Sequence, residues 1–212
     1  MTLAIRRCAV ACLALLPLQS LAQDWQDHTL ELTPQLGARF GGEFRDVIDA
    51  QDLDLADSAS FGLQFNYTAG PDALYDVLYS HQSTELETGD IFTGESVVDM
   101  TVQYLQVGGT YLFSRGRGQP YLSLTIGAAR FDPDGPGLKA ENFFAATIGG
   151  GYKYWFNDRL GLRLDGRAYV TAVSNETDIF CSTGTDGNTC AIRVDGDVLV
   201  QWEAAVGLVF AF

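Results

Sequence analysis

Residues 198–212 alternate strictly: Val200, Trp202, Ala204, Val206, Leu208, Phe210 and Phe212 share one parity, while Gln201, Glu203 and small residues hold the other. Period two marks a strand with one apolar face. The run is long for a globular strand, which averages about 5–6 residues. It suits a tilted strand crossing a bilayer, which needs roughly 9–11 residues.

The same period recurs upstream and predicts seven more strands, over residues 29–44, 58–67, 73–83, 98–113, 121–131, 143–156 and 160–171. In the first, Leu30, Leu32, Leu36, Ala38 and Phe40 oppose Glu31, Gln35, Arg39 and Glu43. In the seventh, Leu162, Leu164, Ala168 and Val170 oppose Arg163, Asp165, Arg167 and Tyr169. The fourth changes parity along its length, from Met100, Val102 and Tyr104 to Leu105, Val107 and Tyr111. That switch predicts a β-bulge near Tyr104. Three connections are short (68–72, 114–119, 157–159) and four are long (45–57, 84–97, 132–142, 172–197). The pattern predicts an all-β chain: an eight-stranded antiparallel up-and-down transmembrane β-barrel with short periplasmic turns and long extracellular loops. A soluble lipocalin-type barrel also alternates, but it turns its apolar faces inward and needs no aromatic-edged outer band.

Residues 1–22 read as a cleaved signal peptide: Arg6-Arg7, an apolar stretch from Cys8 to Leu18, then Ser20-Leu21-Ala22 as a small-residue cleavage site. Residues 23–212 then form one barrel domain in the bacterial outer membrane, reached by export through the periplasm. Removal of Arg6 and Arg7 leaves 11 basic residues against 27 acidic ones, a net charge of −16. That acidity excludes a nucleic-acid partner, which requires basic patches. No uncharged apolar run approaches the roughly 18 residues of a helical span, and 23 glycines with 12% aromatic residues favour sheet. Cys8 and Cys12 leave with the signal. Cys181 and Cys190 remain, and an even pair in an oxidising compartment predicts a disulfide. It closes eight residues, a constraint of roughly 2–3 kcal/mol on the chain-entropy model. It either staples an exposed loop or stiffens a surface epitope.

Four features together resemble the small bacterial outer-membrane β-barrel family of the OmpX, OmpW and OmpA membrane-domain type: the length of the mature chain, the terminal Phe212, the segment Leu105-Gln-Val-Gly-Gly-Thr-Tyr111 and the segment Leu160-Gly-Leu-Arg-Leu-Asp-Gly-Arg-Ala-Tyr169. Gly207, Phe210 and Phe212 match the terminal signal that such barrels present to the barrel-assembly machinery, although Ala205 stands where a polar residue is usual. The resemblance implies a monomer set in outer-membrane lipid and lipopolysaccharide. It says little about activity.

The inward parity collects nine charges: Glu31, Arg39, Glu43, Asp76, Lys153, Arg163, Asp165, Arg167 and Glu203. The interior of an eight-stranded barrel is just wide enough for side chains to fill, so these charges must pair. The expected result is a salt-bridged plug, with Glu203 paired to Arg163 or Arg167. A gated ion path through the same residues is the alternative. Asp46, Asp49, Asp52, Asp54 and Asp57 crowd the first long loop, and Glu85, Glu87, Asp90 and Glu95 the second. They lack the glycine and terminal glutamate of a calcium loop, so no specific metal site or other cofactor is expected. Of the two histidines, His81 sits two residues before Ser83 on one strand face. That spacing resembles lipid A deacylases, but the acid is unanchored, and no catalytic residues are expected. The chain therefore reads as a structural or surface-interacting barrel, with its loops meeting a host or surface ligand. A narrow channel or carrier for small molecules is the alternative, and a lipid A-modifying enzyme is a weaker one.

Overall fold

The structure is a computed structural model that describes residues 30–45, 52–87, 97–134, 139–173, 178–184, 187–193 and 198–212. Among the described residues twelve strands run in chain order: β1 Leu30–Phe40, β2 Glu43–Arg45, β3 Asp52–Leu55, β4 Ser58–Gly70, β5 Ala73–Glu87, β6 Val97–Leu112, β7 Gly118–Pro133, β8 Glu141–Trp155, β9 Leu160–Ala172, β10 Asp178–Gly184, β11 Gly187–Arg193 and β12 Val198–Ala211. Eight of them close a ring in the order β1, β4, β5, β6, β7, β8, β9, β12. Every pairing is antiparallel, and β12 returns to β1 from Glu31↔Ala211 to Phe40↔Trp202. Closure leaves no edge in the ring, as a strand structure in hydrocarbon requires.

The face of each strand follows its parity. Leu36, Leu105, Leu124, Ile148, Leu164 and Leu208 all point outward and are exposed, within a belt that counts 28 large exposed apolar side chains among the described residues. Water would make such a belt untenable, and hydrocarbon makes it stable. Aromatic residues rim its periplasmic edge, with Tyr111 packed against Phe113 and Tyr154 against Phe156.

Curling a sheet into so narrow a ring crowds the backbone at inward glycines. A Cβ at Gly151 would lie 1.9 Å from the Leu164 carbonyl oxygen, and one at Gly127 would lie 2.1 Å from that of Leu105. These two positions accept no side chain without moving a neighbouring strand.

Three expectations change. The first strand stops at Phe40 instead of running to residue 44, because Gly41 and Gly42 adopt positive φ angles of 77° and 114°. Glu43 therefore lies in β2, which pairs with β3 above the ring, and its side chain is outside the described residues. The bulge near Tyr104 does not exist. The β5–β6 register runs unbroken from Ala73↔Tyr111 to Glu87↔Val97, and β6–β7 is equally regular. Met100, Val102 and Tyr104 instead point inward with Gln106 and Thr110, because the extracellular half of the lumen is itself apolar. Residues 172–197 are not all loop, since β10 and β11 form a hairpin that sets Cys181 opposite Cys190. The side chains of both cysteines lie outside the described residues.

Candidate functional site

The lumen brings eight of the nine inward charges together. Glu203 on β12 is the hub. It accepts hydrogen bonds from Arg39 Nη2 at 2.6 Å, Arg39 Nε at 3.2 Å, Arg167 Nη1 at 3.1 Å and the Tyr169 hydroxyl at 3.0 Å. Strand register explains the convergence: Glu203 is the Cα partner of both Arg39 on β1 and Arg167 on β9. Arg167 also donates to Asp165 at 2.8 Å, and Asp165 accepts from Arg163 Nε at 3.0 Å. Thus Arg39, Glu203, Arg167, Asp165 and Arg163 form one chain of alternating charge. Arg163, expected as a possible partner of Glu203, contacts Asp165 instead.

Lys153 and Glu31 make a separate pair at 2.6 Å. Asp76 meets no cation directly; the Asn66 amide and the Thr110 hydroxyl donate to its two oxygens. All eight of these charged side chains are buried. Three cations gain further partners from aromatic faces, Lys153 from the Trp155 ring at 5.5 Å and two arginines more closely. The Arg39 guanidinium lies 4.4 Å from the Tyr169 ring and 5.0 Å from that of Tyr104, and Arg163 lies 4.3 Å from Tyr121. Such contacts strengthen when both groups are out of water.

Several bonds cross the lumen. Lys153 and Glu31 sit on β8 and β1, three places apart around the ring. Arg167 reaches Gln64 on β4 at 3.0 Å, also three places away. The Tyr104 hydroxyl on β6 donates to Gln201 on β12 at 2.9 Å, from the diametrically opposite wall. Sequence reasoning missed this neutral part of the network: Gln35, Gln64, Gln82, Gln201, Tyr104 and Tyr121. Their inward parity was the available signal, since a lipid-facing glutamine would be equally out of place.

Above and below this layer apolar side chains gather in the lumen, alongside buried polar ones such as Thr84 and Gln119. Met100, Tyr104, Phe131, Phe143, Tyr169 and Leu199 belong to one buried cluster toward the extracellular end, where Tyr104 and Tyr169 stack at 4.5 Å and Phe131 meets Phe143 edge-on at 5.6 Å. Toward the periplasmic mouth lie Leu74, Leu112 and Tyr121, and separately Trp155, Val209 and Ala211.

The terminal residues fall into two sets. Phe210 and Phe212 face outward and Gly207 inward; a Cβ on Gly207 would lie 2.8 Å from both Thr33 Cγ2 and Gln35 Cγ. Toward the extracellular rim the outer face is uneven. Phe40, Phe61, Phe144 and Trp202 are exposed aromatics, whereas β5 and β6 set His81 opposite Gln103 and Ser83 opposite Thr101. Ser83 Oγ lies 3.4 Å from His81 Nε2, and no carboxylate contact to this histidine is present among the described residues. Asp57, Glu85, Asp99 and Asp134 line a cavity of about 560 Å³ beside it. Among the described residues no group of three or more His, Cys, Asp or Glu side chains is arranged to hold a metal.

No family model matches the chain, and no curated protein is similar to it in sequence. Solved structures do share its fold. Neisserial surface protein A superposes with a TM-score of 0.60 at 13% identity, over 87% of this chain and 97% of that one. The outer membrane protein OprG from Pseudomonas aeruginosa superposes with a TM-score of 0.57 at 10% identity, over 86% and 95%. The chain thus has the fold of the eight-stranded outer-membrane β-barrels. Together with its exposed apolar belt, that fold places it in the bacterial outer membrane.

Proposed function

We propose that this protein is a closed outer-membrane barrel whose interior is plugged and whose work is done at the membrane surface, through its extracellular loops, without catalysis. The observation that carries the reading is the set of bonds across the lumen. Lys153–Glu31, Arg167–Gln64 and Tyr104–Gln201 tie together strands three or four places apart with buried side chains, and an ion path would have to break them. The role is then structural, or adhesive toward a host or surface ligand. Lipopolysaccharide and outer-membrane lipid cover the belt, and the barrel is a monomer. The terminal signal of Gly207, Phe210 and Phe212 serves assembly, and residues 1–22 serve export. The directly opposed Cys181 and Cys190 form a disulfide that holds the β10–β11 hairpin.

The test is conductance of the purified protein in a planar bilayer. Silence across about ±100 mV supports the plugged barrel. Discrete ion-selective openings would overturn it in favour of a narrow channel.

A further inference from the structure

We propose that the seam closing the barrel is divided at Pro34, so that its periplasmic section opens and re-forms by itself while the rest of the ring stays shut. Leu30 and Phe212 exchange backbone hydrogen bonds across this seam, the Leu30 N–H donating at 3.5 Å and the Phe212 N–H at 2.9 Å. Successive backbone groups of a strand point to alternate sides, so the even-numbered residues of β1 turn their N–H toward β12 and the odd-numbered ones toward β4. Pro34 belongs to the even set and has no N–H to give. The Leu208 carbonyl, which the register sets opposite it, therefore lacks its ladder donor. The β1–β12 pairing accordingly runs through Glu31↔Ala211 and Leu32↔Phe210, skips Thr33 and Pro34, and resumes at Gln35↔Gly207. Thr33 Oγ1, inside the break, has no hydrogen-bond partner and does not stand in for the lost donor.

The break is confined to this seam. The flanking ladders run straight past it, β1–β4 through Thr33↔Gln64 and Pro34↔Leu63, and β9–β12 through Leu208↔Leu162 and Val209↔Gly161. The remaining five pairings of the ring are continuous, apart from a shift at Thr68–Gly70 beside a turn. Proline is ordinarily kept to edge strands and bulges because it removes a ladder bond, and in hydrocarbon no solvent replaces the missing partner. Below Pro34 only Leu30–Leu32 against Phe210–Phe212 hold the seam, and local opening costs least where the fewest bonds must break. The break also divides the terminal signal: Gly207 pairs with Gln35 on the closed side, whereas Phe210 and Phe212 lie on the side that opens. The use of the division rests on the reading of those residues as an assembly signal. A partner that binds by strand addition keeps hold of Phe210 and Phe212 after the upper seam has shut, and leaves last.

Amide hydrogen exchange of the folded protein in lipid nanodiscs, read residue by residue by NMR, tests the division. Opening of the seam exposes the N–H groups of Leu32 and Phe210, which point into it, and spares those of Thr33 and Val209, which point to β4 and β9. Leu32 and Phe210 are expected to exchange at least about tenfold faster than Thr33 and Val209, and than Leu36 and Val206 above the break. Equal rates at all six positions overturn the proposal. So does equally fast exchange of Leu32, Thr33, Val209 and Phe210, which is the signature of plain fraying at the chain ends. Pro34→Val supplies the missing N–H and is expected to slow Leu32 and Phe210 to the rate of Leu36. Exchange that stays fast in the folded variant removes Pro34 as the cause and overturns the proposal as well. The two readings fail separately: a Phe212→Ala chain that assembles at the normal rate refutes the signal, and uniform exchange refutes the divided seam.

Discussion

Replacing Glu203 with glutamine keeps the side-chain shape and removes one charge at the point where the most bonds meet. Glu203 accepts hydrogen bonds from two arginines, a tyrosine and the Ser60 hydroxyl. A glutamine offers one oxygen and one amide in the same space. Whichever way it turns, its N–H groups face either Arg39 or the Arg167–Tyr169 side, both of which are donors. Arg167 keeps Asp165 and Gln64. Arg39 keeps Ser80, a 3.4 Å contact to Gln82 and its two aromatic faces, but no carboxylate. Breaking one side of a buried ion pair costs about 3–5 kcal/mol. The surviving partners place Glu203→Gln near the lower end, at about 3 kcal/mol, roughly two orders of magnitude in the folding equilibrium. The assay is reversible urea unfolding in lipid vesicles, followed by tryptophan fluorescence. Trp202 sits next to the substitution on the lipid face and reports directly. A cycle with Arg39→Gln should return a coupling of about 1.5–3 kcal/mol. A change below about 0.5 kcal/mol, ordinary for an exposed surface site, would refute the network as a source of stability.

Lys153→Met should destabilise the barrel by about 3 kcal/mol by stranding Glu31, and Lys153→Met with Glu31→Leu should recover most of it; gel mobility against temperature reads both. Gly151→Ala forces a methyl against the Leu164 carbonyl, so it should lower the folded fraction after refolding, with a cost of about 1–3 kcal/mol; unchanged refolding would refute the crowding. Leu164→Arg, in the middle of the belt, should cost about 2–4 kcal/mol, and Phe212→Arg at the edge less than about 1 kcal/mol; equal costs in vesicle unfolding would contradict the placement of the belt. Cys181 and Cys190 should resist maleimide labelling until a reductant is added, and labelling without reductant would exclude the disulfide.

The strands most legible in the sequence are those whose two faces meet two different solvents along their whole length. Residues 198–211 and 160–172 are of this kind, with lipid on one side and the charge network on the other, and their parity was unambiguous. The fourth strand misled because inward was equated with polar. Met100, Val102 and Tyr104 meet a dry interior there, so both faces of β6 are apolar at different heights, and a regular strand imitates a bulge. Glu43 was misplaced because alternation carries no record of Gly41 and Gly42, whose left-handed conformation ends β1. The charges were legible as a group, and their partners were not. Whether Arg163 meets Glu203 or Asp165 depends on strand stagger and side-chain reach, which a parity count does not contain. The cross-lumen glutamines were missed for the same reason: a neutral amide becomes informative only when its opposite wall is known.

The uneven outer rim has a consequence for the bilayer. Along β12 the outward row stays apolar from Val198 to Phe212, roughly 45 Å of strand, whereas on β5 it runs from Ala73 to Tyr79, roughly 20 Å, before His81 begins a polar row. Gln103 on β6 and Arg130 on β7 continue that row around the wall. A slab of uniform thickness cannot match both flanks of an upright cylinder. The barrel must lean, or the leaflet beside β5–β7 must thin, at a cost of fractions of a kcal/mol per Å of mismatch. Lipid packing around this protein is therefore directional, with the compressed sector on the flank that carries His81, Ser83 and the neighbouring acidic cavity.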